Sequence, residues 1–293
     1  MKKILLFLLL GLVAGVLPGQ TTLQVVTKNI RKSVDWKPGS AVYINSEKAE
    51  IEVTPGAGNT VTVQAELSAR HPDLDSARID LETWKLVVDA SGGKINIRAY
   101  IGLDAKAPLP TSSLKAKLRI TIPAACPVNL SNKFGKAQLE KLNGPVGLSG
   151  EFCSFDLVEL GGKVDLDSRY GNVEGRNLSG PISLQVKRAD IELSDLKNAC
   201  TVKSEYGKVA VETTRRTGAV TMTTNKSDIR ITTDENPAHN FDVKTTYGDL
   251  KVRSKLPFKV TQPDKNTRQA LLQRGEGLPT VKIAAQFGQV ELN

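Results

Sequence analysis

Four consecutive stretches of equal length decide the fold: VNLSNKFGKAQLEKLNGP (128–145), VGLSGEFCSFDLVELGGK (146–163), VDLDSRYGNVEGRNLSGP (164–181) and ISLQVKRADIELSDLKNA (182–199). Placed one above the other they form apolar columns. One reads Val128, Val146, Val164, Ile182, and the next Leu130, Leu148, Leu166, Leu184. Ala137, Phe155, Val173, Ile191 form a third, and Leu142, Leu160, Leu178, Leu196 a fourth. Within each stretch apolar and polar residues alternate, the period of a strand with one buried face. Each stretch therefore predicts two short strands joined by turns. A single unit cannot bury its own apolar side, but a stack in register can, at ~4.8 Å per step.

Working outward, the anchor is an aromatic-glycine pair: Phe134-Gly135, Tyr170-Gly171, Tyr206-Gly207, Tyr247-Gly248 and Phe287-Gly288. Phe152-Cys153, Arg188-Ala189 and Lys226-Ser227 stand between them. The spacing is 18 until residue 207, then loosens and leaves room for an irregular insertion near 255–280. The expected class is all-β: a single-chain β-solenoid (β-helix) with 18-residue coils over 126–293. A β-rich but irregular part or cap precedes it over 20–125. Its strand candidates are Ala41–Asn45, Ala49–Thr54, Thr60–Leu67, Lys94–Tyr100 and Leu114–Ile122, with longer connections over Arg70–Ala107.

The chain opens MKKILLFLLLGLVAGVLPGQ. Two lysines, an apolar run from Ile4 to Leu17 and a small-residue break read as a signal peptide over 1–19, with cleavage favoured after Gly19 and Gly15 as the alternative. The run is short for a membrane span, and no later stretch replaces it. Export to the periplasm, the cell surface or the medium is the expectation. Net charge is +9 over 293 residues, spread without a basic run, which argues against nucleic acid as a partner. Weak attraction to anionic lipids or glycans stays open.

These residues resemble a bacterial family of exported domains of unknown function described as "putative adhesins". The likeness lies in the signal peptide, a β segment ending in ITIPA (Ile120–Ala124) and repeated V-x-L-x-x-x-[FY]-G-x-V-x-V units over roughly 40–293. Membership implies a β-solenoid and an exported location, and transfers no binding residue.

No catalytic motif, phosphate loop or zinc spacing is present, so neither an enzyme nor a cofactor is expected. His71 and His239 lie in turn-like sequence and read as solvated loop residues. Cys126, Cys153 and Cys200 match no metal spacing; Cys200 falls in a core column and Cys153 in the glycine column. One outward column holds Asp156, Glu174 and Glu192 on successive coils. It is the place to look for a metal, against its reading as a solvated face. The corner column alternates ring and cation through Tyr170, Arg188, Tyr206, Lys226 and Tyr247. It reads as a stabilising stack, with Lys226 between Tyr206 and Tyr247, or as a ligand-binding strip. The preferred function is a non-enzymatic binding or scaffold module of the cell envelope, its partner a glycan or cell-surface protein. The alternatives are a structural envelope protein and a carbohydrate-active β-helix enzyme.

Overall fold

The computed structural model describes residues 22–103 and 107–293. The expected signal peptide over 1–19 lies outside the described residues. The N-terminal part holds β1 (Gln24–Asp35), β2 (Ala41–Glu47), β3 (Ala49–Pro55), β4 (Thr60–His71), α1 (Leu74–Leu81), β5 (Trp84–Ser91), β6 (Lys94–Ile101) and β7 (Ser113–Ile122). The repeats hold β8 (Val128–Glu140), β9 (Val146–Val158), β10 (Val164–Arg169), β11 (Val173–Leu178), β12 (Ile182–Lys187), β13 (Ile191–Leu196), β14 (Cys200–Thr213) and β15 (Val220–Thr233). The C-terminal strands are β16 (Asn240–Thr246), β17 (Leu250–Val252), β18 (Lys259–Asp264), β19 (Thr267–Leu272), β20 (Thr280–Gln286) and β21 (Val290–Leu292).

The fold is all-β, and its repeats pair in parallel with their columns in register. Val164 pairs with Val146 and with Ile182, and Leu166 with Leu148 and with Leu184. Leu166 and Leu184 are buried while Asp167 and Gln185 are exposed, as the alternation requires. Two sheet faces result. One runs β6–β2–β8–β9–β10–β12–β14–β15–β20–β16, and the other β7–β3–β8–β9–β11–β13–β14–β15–β21–β17. The strands β8, β9, β14 and β15 continue round the corner and serve both faces. The pairing therefore closes a ring of six parallel strands, β9–β10–β12–β14–β13–β11. The ring forms because β9 and β14 each pair on both faces, with the ladder interrupted only at the corner residues.

Small residues set how closely coils approach. A Cβ on Gly171 would fall on the carbonyl oxygen of Cys153, and one on Gly180 on that of Gly162. Neither glycine has a positive φ, so the requirement is close backbone approach. The left-handed conformation falls instead on the residue before the glycine column. Lys48, Phe134, Phe152, Tyr170, Arg188, Tyr206, Lys226, Tyr247 and Phe287 all have φ between 51° and 59°.

The N-terminal part joins the same stack, because β2 pairs with β8 (Val42↔Val128) and β3 with β8 (Ile51↔Ala137). The five expected strands are β2, β3, β4, β6 and β7. Three elements were not expected: β1, α1 and β5. The supposed long connection over Arg70–Ala107 contains α1 and β5. Asp73 caps α1 by accepting from the Ser76 amide at 2.7 Å. The irregular stretch near 255–280 contains β18 and β19, an antiparallel pair in which β19 lies against β16.

Coil order departs from chain order at the C-terminus. The strand β20 lies between β15 and β16, with Val220↔Val281 on one side and Phe241↔Val281 on the other. The coil carrying Phe287 thus lies between those carrying Lys226 and Tyr247.

Candidate functional site

The corner column is the most distinctive surface of the molecule. Its rings are exposed, from 41% for Tyr206 to 55% for Tyr247. Within the column ring faces are nevertheless occupied, because strands in register hold successive corner residues one above the next. Phe134 and Phe152 stack at 5.2 Å between centroids with planes 4° apart, and Phe152 and Tyr170 at 4.7 Å and 6°. The Arg188 guanidinium lies 5.6 Å from the centroids of both Tyr170 and Tyr206, and its Nη1 donates to the Tyr170 hydroxyl at 3.2 Å. Lys226 Nζ lies 5.1 Å from the Tyr206 centroid and donates to its hydroxyl at 3.2 Å.

The expected placing of Lys226 between Tyr206 and Tyr247 is corrected. Phe287 intervenes and stacks on Tyr247 at 5.2 Å and 11°. The cause is the insertion of β20, which no column alignment in chain order reveals. The column extends beyond the five residues singled out from sequence, to Phe134, Phe152 and Phe287.

The acidic column aligns as expected, with Asp156↔Glu174 and Glu174↔Glu192. Among the described residues no three His, Cys, Asp or Glu side chains are grouped as a cation would need. Asp156, only 8% exposed, is already flanked by Lys136 at 3.7 Å and Arg176 at 3.5 Å. Glu174 and Glu192 line a shallow depression of about 550 Å³ with Arg176 and Arg230. Interleaved cations leave no pure oxygen cage.

The histidines divide. His71 accepts from the Asp73 amide at 3.0 Å at the end of β4, near the surface. His239 is fully buried, with Nε2 2.7 Å from the Thr217 carbonyl, so its expected solvated position is corrected. The coil fold brings the 214–217 turn over it, a contact 22 residues apart in sequence. The three cysteines are free and buried. Burial pushes the Cys126 thiol up to about 11 and the Cys200 thiol to about 12, and raises Cys153 as well. Thiols held protonated in this way are poor nucleophiles and ligands.

A family profile described as Toastrack DUF4097 matches residues 40–293. No curated protein matches the chain. Among solved structures, a "putative adhesin" from Parabacteroides merdae is similar at 11% identity and a TM-score of 0.42, over 91% of this chain and 96% of that one. A "putative adhesin" from Bacteroides fragilis is similar at 12% identity and a TM-score of 0.35, over 91% and 97%. A "putative cell adhesion protein" from Clostridium sporogenes is similar at 9% identity and a TM-score of 0.33, over 91% and 99%.

Proposed function

The chain belongs to the Toastrack DUF4097 family, and on that premise we propose that it is a non-enzymatic β-solenoid, exported to the cell envelope, that serves as a binding or scaffold module. The observation that carries this reading is the unbroken stack. From β6 to β16 every coil spends its inward residues on one continuous core and its outward residues on regular polar faces. Such a body offers length, stiffness and repeated surface, which suit display and docking. The parallel pairing at an 18-residue offset supports the solenoid reading, and the leader sequence supports export. Within the module the strip Tyr170, Arg188, Tyr206, Lys226 and Tyr247 acts mainly as a staple, since ring faces engaged by neighbours are not open to a ligand.

The test joins location to activity. Fractionation of the native host with an antibody should place the protein outside the cytoplasm, with an intact mass lacking the first 15 to 20 residues. A mature protein still beginning at Met1 in the cytoplasm removes the export reading. Reproducible turnover on a glycan panel, lost in Glu174→Gln or Glu192→Gln, removes the non-enzymatic one.

A further inference from the structure

We infer that the Phe134 end of the corner column is a binding site for an acidic sugar residue of a polysaccharide. This goes beyond the general binding reading by naming a site and a ligand class. A depression of about 550 Å³ opens where β3, β4 and β7 meet the corner of β8; Lys48, Arg70, Lys115, Lys117 and Phe134 line it, and Glu50 and Glu66 border it, so cations outnumber carboxylates by four to two. Phe134 is 50% exposed and rests one face on Phe152. The next corner residue beyond it is Lys48, so the column of rings ends here. Among the described residues, no ring or cation is seated over the other face of Phe134.

Cross-strand registry shows why the cations matter. Lys117 stands in backbone register with Glu66 on β4 and Glu50 on β3, so opposite charges alternate across that row. Lys115, one outward step away, pairs with Ser68 on β4. On its other side, one step before the Ala49↔Ala116 pair, stands Lys48. Like charges on neighbouring strands destabilise a sheet. No ion pair of Lys48, Lys115 or Arg70 occurs among the described residues. An anion seated between them relieves the repulsion through charge-assisted hydrogen bonds. A rigid ring beside this positive patch adds a flat apolar platform. A pyranose carrying a carboxylate fits both: its C–H face lies on Phe134 and its carboxylate meets Lys48, Lys115 and Arg70. A free anion makes no use of the ring, whereas the apolar face of a sugar does.

The test is calorimetric titration of the full chain with tetramers of galacturonate, mannuronate and glucuronate, and with the neutral tetramers of the parent hexoses. At least one acidic tetramer should bind, its neutral counterpart should bind about tenfold more weakly or less, and affinity should fall with added salt. Lys48→Gln/Lys115→Gln should lose about tenfold or more. Phe134→Asn should lose as much, asparagine being at ease with positive φ. Tyr247→Asn, at the other end of the column, should bind normally. Thermal melts check that each variant folds, and the surface lysine pair carries the test if Phe134→Asn does not. The site is overturned if no acidic tetramer binds, if neutral tetramers bind equally, if the lysine pair is dispensable, or if anionic phospholipid vesicles bind more tightly and compete. Failure here leaves the module reading standing, because fractionation and turnover measure that separately.

Discussion

At the scale of single residues, the corner sets strain against stacking. A non-glycine residue in the left-handed region costs on the order of 1–2 kcal/mol, and a bulky one there is uncommon. Phe152 holds φ 53° and stacks on a ring at each side. Each stacked pair contributes about 0.5–1.5 kcal/mol, so the two contacts roughly offset the strain. Phe152→Gly then loses the contacts but relieves the backbone, while Phe152→Ala loses the contacts and keeps the strain. Ala is expected to be the more destabilising by about 1 kcal/mol in urea melts; a Gly variant less stable than Ala refutes the account. The buried thiols give a second residue-level outcome. Cys200 titrates near 12 in the fold against an ordinary value of 9.0. Above pH 9 the unfolded chain releases this proton and the folded chain holds it. Stability contributed by the neutral thiol is therefore complete below 9 and is lost as pH rises towards 12. Relative to Cys200→Ala, the wild type should lose up to about 1.4 kcal/mol per pH unit in that window. Parallel stability curves above pH 9 would exclude it. Iodoacetamide should leave all three thiols unmodified in the native protein at neutral pH, as intact mass will show.

At the scale of elements, the stack has ends, and ends of parallel sheets expose unpaired edges. Each edge strand at the N-terminal end is antiparallel to its neighbour: β5 covers β6, and β1 and β4 cover β7. At the other end β18–β19 covers β16. The outermost strands blunt further pairing, β1 with Lys28, Arg31 and Lys32, and β18 with Pro263. Replacing residues 256–274 by a short Gly-Ser linker should bare the β16 edge and produce concentration-dependent oligomers in sedimentation velocity. A variant that stays monomeric while folded would mean that the hairpin is not a cap. The apolar rows of the five expected strands are legible because alternation is a local signal. β1 was not expected although its inward row of Val26, Ile30 and Val34 alternates, because Lys28 and Lys32 interrupt that row. Those lysines are accommodated only by tertiary partners, Glu82 at 2.8 Å and the Leu86 carbonyl at 3.2 Å.

At the scale of the whole molecule, each repeat pairs only with the repeats on either side of it, so cohesion comes from nearest-neighbour interfaces. Central coils have two full neighbours, while β17 and β18 have a partner on one side only. Hydrogen exchange should therefore grade along the axis, slowest in β9, β10, β12 and β14 and fastest in β17 and β18. Uniform protection from end to end would show a single cooperative unit instead.

The sequence alone determined the periodic part. An 18-residue repeat of buried columns, polar outward rows and small residues at the close approaches is written locally, and one coil predicts the next. Tertiary structure alone decided what depends on order and neighbours. The strand β20 pairs on both sides only by sliding between β15 and β16, which moves Phe287 next to Tyr247 and takes Lys226 away from it. His239 is buried by a turn from another coil. Lys48 and Lys115, 67 positions apart in the chain, become neighbours through the β3–β7 register. Local alternation specifies which face a residue takes, but not which of several compatible edges its strand will meet; that choice is made by packing and hydrogen-bond completion over the whole sheet.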